Sequence, residues 1–259
     1  MQGKSILVTR PGGLSNYLRD SIANAGGKAF HLPSITIAPL EDVLAAKQSL
    51  ASLDDFDILI FVSRNAVKYA SQTLADKFRH IQAKTIIAIG AGTHDELLRV
   101  GFTDVFFTDS NTGSDALLDI DELGSASVAG KKVLIIRGVG GRELLRDKLL
   151  ERGAEVQYAE LYRRIKPDVE ATKISKIWLE EKPDVVLVTS AEGMRNLLEM
   201  TGEKERSLFL NTRLVVISPR LKTVAESAGF RAEIKVAAGY SDDDFMLALR
   251  EMFEAIENE

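Results

Sequence analysis

The sequence contains no cysteine in its 259 residues. Disulfides, a thiolate nucleophile and a cysteine-ligated metal are therefore excluded. Histidine is nearly as scarce: His31, His80 and His94 complete the set, and no two stand at a metal-ligand spacing. No carboxylate cluster stands out to replace them, so no metal site is expected. Long apolar runs are missing as well. The amino-terminal run, Ile6 to Val8, falls far short of a signal peptide or of the ~18 residues a membrane span requires. The expectation is a soluble, cytoplasmic chain. A basic excess is lacking too, with 33 Lys plus Arg against 38 Asp plus Glu, a net charge of −5. That excludes a nucleic-acid surface.

What is present suits a globular protein. Hydrophobic residues make up 45% and charged residues 27%, enough for one or two buried cores at this length. The acidity is local. Residues 241–259 carry seven acids against one base, Arg250, whereas residues 1–240 hold 32 bases and 31 acids. The body is thus nearly neutral, and net charge does not argue against an anionic ligand.

Short, β-branched apolar runs recur at residues 5–9, 58–62, 85–89, 133–136, 185–189 and 214–217. Near-continuous hydrophobicity over four or five residues suits strands buried on both faces, as in parallel sheets. Helical periodicity follows most of them, as in Ala66, Val67, Ala70 and Leu74, or Leu144, Leu145, Lys148 and Leu149. At the carboxyl end Phe245, Leu249, Met252 and Ile256 share one helix face, and Ser241 with Asp244 has the spacing of a capping box. Strand–helix alternation predicts an α/β fold with parallel sheets.

The chain also repeats itself once. Pro11-Gly12-Gly13 returns as Val139-Gly140-Gly141, and Ile60-Phe61-Val62-Ser63 as Leu187-Val188-Thr189-Ser190. Ile86 to Ile89 matches Leu214 to Ile217, and Gly101-Phe102 matches Gly229-Phe230. The offset is 127 or 128 throughout, which divides the chain into two similar lobes of about five strands each, flavodoxin-sized units. Two lobes create an interdomain cleft, a common place for a small-molecule site. Alternating segments near 34–39 and 160–165 predict half-exposed linker strands, able to pair as a two-stranded connection. Periodicity leaves open whether each repeat folds on itself or the lobes exchange segments.

Open α/β sheets bind ligands at strand-end loops. Here those loops are rich in small residues and arginine. They contain Arg10 with Pro11-Gly12-Gly13, Ser63-Arg64-Asn65, Gly90-Ala91-Gly92-Thr93, Arg137-Gly138 running to Arg142, Ser190 to Gly193, and Ser218-Pro219-Arg220. Small residues allow close backbone approach, and helix starts offer free N–H donors to carboxylates or phosphates. The same residues are also ordinary caps and turns. Arginine adds a rigid, always charged fork for carboxylates. Tyr162, in the second linker segment, is either a packing residue or a neutral hydroxyl donor. Dinucleotide, P-loop and nucleophile-elbow motifs are all absent; Gly90-Ala91-Gly92-Thr93-His94-Asp95 lacks the third glycine of the first.

The segments ILVTRP (6–11), IFVSRNAV (60–67), IAIGAGT (87–93), VLIIRGVGGRELLRDKLLERGAEVQYAELYRR (133–164), VVLVTSAEG (185–193) and VVISPRL (215–221) agree in order and spacing with one family. Over its full length the chain resembles the uroporphyrinogen-III synthases. The resemblance implies two segment-exchanged flavodoxin-like lobes joined by a two-stranded linker: residues 1–36 plus 165–259 in one, 37–164 in the other. It implies an enzyme of tetrapyrrole biosynthesis that cyclises hydroxymethylbilane to uroporphyrinogen III, losing water and inverting the last pyrrole ring, with no metal and no cofactor. The implied partner is a linear tetrapyrrole polycarboxylate alone, and the implied state is a monomer. The family's functional tyrosine matches Tyr162 and a family threonine matches Thr93. A second threonine, after a proline, is replaced by Arg220, which leaves that loop's role open. The implied substrate-binding set is Arg10, Ser63, Arg64, Gly90, Thr93, Arg137, Gly138, Ser190, Ser218, Pro219 and Arg220. Two other readings compete. One is a non-enzymatic two-lobed module for an anionic ligand; the other, a nucleotide-dependent transferase, would need a phosphate loop or catalytic acid that the sequence lacks.

Overall fold

A computed structural model describes residues 1–12, 15–41, 44–75, 78, 81, 84–108, 117–141 and 143–257. Gly13, His80, Arg142 and the side chain of Ile256 lie outside the described residues. The chain divides into two compact units, Met1–Thr36 with Ile165–Glu259, and Ile37–Arg164. Each is built on its own sheet.

The first unit's sheet has the order β11-β10-β9-β1-β2. Its strands are β1 (Ser5–Val8), β2 (Lys28–His31), β9 (Val185–Val188), β10 (Arg213–Val216) and β11 (Ile234–Val236). Every adjacent pair is parallel. Strand alternation sends successive side chains to opposite faces, and both faces are covered. Leu7, Val186, Val188, Leu214 and Val216 pack with Trp178, Met194, Leu197 and Phe209. Ile6, Val8, Val185, Leu187 and Val215 pack instead with Leu18, Ile22 and the carboxyl-terminal helix residues Phe245, Leu249 and Met252. The helix Asp242–Glu257 begins on the expected reciprocal cap. Ser241 N–H donates to Asp244 Oδ2 at 2.9 Å, and Asp244 N–H donates to Ser241 Oγ at 3.1 Å.

The second unit's sheet has the order β3-β8-β7-β4-β5-β6. Here β3 is Thr36–Pro39, β4 Ile58–Phe61, β5 Thr85–Ala88, β6 Val105–Phe107, β7 Lys132–Gly138 and β8 Glu155–Ile165. From β8 to β6 the adjacent pairs are all parallel. Leu59, Phe61, Leu134 and Ile136 face one core; Ile58, Ile60, Val133 and Ile135 face the other. Stripped of β3, this order matches the first sheet strand for strand under the repeat: β8-β7-β4-β5-β6 against β2-β1-β9-β10-β11.

Two differences from the sequence pattern have physical causes. Strands β2, β6 and β11 stand apart from the hydrophobic runs because they are edge strands, only partly covered. The second linker segment is not half-exposed where it matters: Leu161 and Tyr162 are both buried, at 2% and 4% exposure. The β7–β8 register slips there, from Arg137 opposite Glu160 to Gly138 opposite Tyr162. The bulge leaves Leu161 outside the ladder and breaks simple alternation. Among the described residues no helix is long and apolar enough to cross a membrane.

Leu7 lies fully buried on β1, between β2 and β9. Leu7→Ala should lower unfolding free energy by about 2–5 kcal/mol, as for other buried leucines. Urea denaturation followed by circular dichroism measures it.

Candidate active site at the carboxyl ends of the strands

Parallel strands bring all their carboxyl ends to one edge of a sheet, and the helices that follow begin there. Ser63 follows β4 and caps the helix Arg64–Leu74, its Oγ accepting the Ala66 N–H at 3.1 Å. Ser190 follows β9 and caps Ala191–Met200, accepting from Gly193 N–H at 2.9 Å. Ser218 follows β10 and caps Pro219–Ser227, accepting from Leu221 N–H at 3.2 Å. Gly90 stands at the same position after β5, with φ 78° and no side chain to accept, before the helix Ala91–Arg99. The cap reading of these residues is therefore correct, and it does not compete with a ligand role. A side-chain cap satisfies one helix-start donor and leaves others facing out.

The second unit gathers Ser63, Arg64, Gly90, Thr93, Arg137, Gly138 and Tyr162; the first gathers Arg10, Ser190, Ser218, Pro219 and Arg220. Within the first set a cavity of about 270 Å³ is lined by Val62, Ile89, Leu145, Tyr162, Arg164 and residues 137–141. Tyr162 is held from three sides. Its hydroxyl and Ser63 Oγ share a hydrogen bond of 2.7 Å. Its ring stacks on Tyr69, with centroids 5.5 Å apart and planes 20° from parallel. Its other face lies on Gly138, where any Cβ would meet the ring well inside van der Waals contact. Burial and the neighbouring Tyr162 raise the Tyr69 phenol above its ordinary pKa of 10.0.

The arginines differ from one another. Arg10 forms an ion pair with Asp242 and lies 5.4 Å over the Phe245 ring. Arg64 rests its guanidinium on Gly92. Arg220 is exposed. Arg137, expected to offer its fork to a ligand, is 5% exposed and already engaged. Its Nε donates to Gly138 O at 3.1 Å, Nη1 to Glu143 Oε1 at 3.0 Å, and Nη2 to Gly140 O. Glu160 stands 3.7 Å away, and the Tyr158 ring covers the guanidinium at 4.4 Å. Thr93 is likewise buried, at 4% exposure. Glu143 and Tyr158 are site neighbours that no sequence motif marks. Tyr158 Oη donates to Glu143 Oε2 at 2.5 Å. Desolvation, then that hydrogen bond, pushes the Tyr158 phenol up to about 12. The hydrogen bond from Tyr158, together with the Arg137 charge, holds the Glu143 carboxyl below its usual range.

Comparison with known proteins identifies the family. The family model "Uroporphyrinogen-III synthase HemD" matches residues 17–245. The chain is 33% identical over 248 residues to the uroporphyrinogen-III synthase of Escherichia coli (strain K12), covering 95% of this chain and all of that one. The chain belongs to the uroporphyrinogen-III synthase family. It is 24% identical over 256 residues to the synthase of Synechococcus elongatus, covering 96% of this chain and 95% of that one. In fold it is similar to the crystal structure of the Helicobacter pylori 26695 enzyme, with a TM-score of 0.66 at 19% identity, covering 95% of this chain and 99% of that one. All the candidate site residues except Arg10 lie inside the stretch matched by the family model.

Two outcomes follow from this packing. Gly138→Ala forces a Cβ against the Tyr162 ring, an overpacking expected to cost about 1–3 kcal/mol; thermal unfolding and the near-ultraviolet tyrosine signal would show it. Tyr158 should ionise late, near pH 12. Its folded pKa is raised, so the stability it contributes is complete below pH 10 and lost as the pH climbs towards 12. An absorbance titration of the wild type against Tyr158→Phe tests this; a missing late transition in both would refute it.

Proposed function

We propose that this chain is a uroporphyrinogen-III synthase, closing hydroxymethylbilane into uroporphyrinogen III with loss of water and inversion of the last pyrrole ring. The observation that carries the reading is the end-to-end match to the Escherichia coli synthase. A non-enzymatic binding module is not favoured, because the curated relatives are synthases.

The site suits a reaction governed by geometry. Pyrrole nitrogen lone pairs expel the terminal hydroxyl, which leaves with its bonding pair, takes up a proton and departs as water. The cationic azafulvene methylene is then attacked by the substituted carbon of the final ring. The spiro intermediate fragments and recloses with that ring inverted, and the proton lost on rearomatisation balances the one taken up. Such a sequence needs a held substrate and a partner for the departing oxygen more than a strong acid or base. In this reading Tyr162 is the catalytic residue. Its hydroxyl accepts from Ser63 Oγ–H while donating to the leaving oxygen. The hydrogen bond already present between these hydroxyls supports that relay.

Acetate and propionate carboxylates are assigned to helix-start N–H groups beside Ser63, Gly90, Ser190 and Ser218, and to Arg64 and Arg220. Arg10 joins them with its charge shared with Asp242. No metal or cofactor enters the proposal. A monomeric, cytoplasmic enzyme fits it.

The test is freshly made hydroxymethylbilane, with oxidised products resolved by isomer. The type III isomer is expected; type I alone, at the spontaneous rate, would end the reading. Tyr162→Phe keeps the stacked ring and removes the hydroxyl. Type III formation should fall by roughly 10²-fold with the fold retained, and unchanged turnover would remove Tyr162 from the chemistry.

A further inference from the structure

Arg137 is the one buried arginine among the candidate site residues, and its donors are taken up by acceptors of this chain. Its guanidinium donates to the carbonyls of Gly138 and Gly140 and to the Glu143 carboxylate, one bond from each of its three nitrogens. Two carbonyls two residues apart are thereby turned toward the same cation. The chain can do this because Gly140 and Gly141 adopt φ values of 75° and 107°, open to glycine at little cost. There is little room for more, since a Cβ at Gly141 would come within 3.2 Å of Arg137 Nη2. The Tyr158 ring closes the guanidinium face at 4.4 Å, and its hydroxyl fixes the far oxygen of Glu143.

The turn so held is also the bed of Tyr162. Val139 N–H donates to Tyr162 O at 2.8 Å, and the Tyr162 ring lies on Gly138. Glu160, two residues before Tyr162 on β8, faces the same guanidinium. The bulge that sets Tyr162 opposite Gly138 lies between these contacts.

We propose that Arg137 is a positioning residue: with Glu143 and Tyr158 it clamps the turn at residues 138–141 and, through Val139 and Gly138, fixes the backbone and ring of Tyr162. A planar fork is essential to this role. Lysine keeps the charge but presents one point donor, so it cannot hold two carbonyls and a carboxylate as three separate nitrogens do. The kinetic part rests on the reading of Tyr162 as the catalytic residue; the structural part does not.

The experiment compares Arg137→Lys, Arg137→Met and Glu143→Gln in the full-length protein by two readouts. Hydrogen exchange of the ligand-free protein reports on residues 138–141 and 158–162. Steady-state type III formation reports on kcat and KM separately. A clamp predicts faster exchange of the Val139 amide in all three variants, without ligand. It predicts that kcat falls roughly 10- to 100-fold in both Arg137 variants, as displacement of a reacting group would cause. KM should stay within about threefold, and lysine should not rescue. Arg137→Lys with kcat retained, KM raised and exchange unchanged would overturn the proposal and make Arg137 a ligand contact. Should the Arg137 variants unfold, Glu143→Gln decides, since it leaves the arginine in place. Unchanged exchange of the Val139 amide in that variant would also overturn it. Failure of the wild type to make the type III isomer would defeat the functional reading, while exchange at Val139 would still judge the clamp.

Discussion

Burial of both faces of each sheet is the constraint on which the rest depends. Alternate residues of β1, β9 and β10 enter two different cores, as do those of β4, β5 and β7. Such strands have no face left on which to carry chemistry. Polar groups are driven to the strand ends, and within each sheet parallel pairing collects the carboxyl ends along one edge. The helix starts arrive at that same edge because each crossover begins where a strand stops. The location of the site is thus a consequence of how the apolar residues are satisfied.

At the edge of each sheet, helix capping and the proposed chemistry draw on the same groups. Ser63, Ser190 and Ser218 are caps, with extended backbones and hydroxyls accepting a helix N–H. Ser63 also reaches Tyr162, so a residue that starts a helix orients the phenol assigned to the chemistry. For a cyclisation in which the substrate's own pyrrole nitrogens supply the electronic push, fixed neutral donors are sufficient. The scarcity of histidine is consistent with that chemistry.

The two repeats solve one local problem in two ways. Each must fix the residues that directly follow its first strand. After β1, the Arg10 carbonyl accepts from His31 Nε2 at 2.9 Å, and Ser15 Oγ donates to the Gly12 carbonyl at 2.9 Å. After β7, a single buried guanidinium holds the turn between Glu143 and the Tyr158 ring. The acidic carboxyl-terminal helix takes part in the first case, because Asp242 pairs with Arg10. Its charge is therefore not wholly a solvated face.

Much of the fold was legible in the residues. The β-branched runs are the central strands, the helix periodicities at 66–74 and 245–252 mark buried faces, and Ser241 with Asp244 is a cap. The repeat anticipated two similar α/β lobes of about five strands each, and the structure adds their common strand order. These features are local: they depend on side-chain volume, spacing and hydrogen-bonding groups within a few residues. What tertiary structure alone decided lies across long separations. Alternation placed Tyr162 on a half-exposed strand; a bulge against β7, more than twenty residues away, buries it. Arginine at a strand end read as a fork for ligand carboxylates; Glu143, Glu160 and Tyr158 close around Arg137. No period in the sequence encodes which acceptor will face a guanidinium, because that depends on register between strands. Residue chemistry determined what each group could do, and packing determined which partner it found.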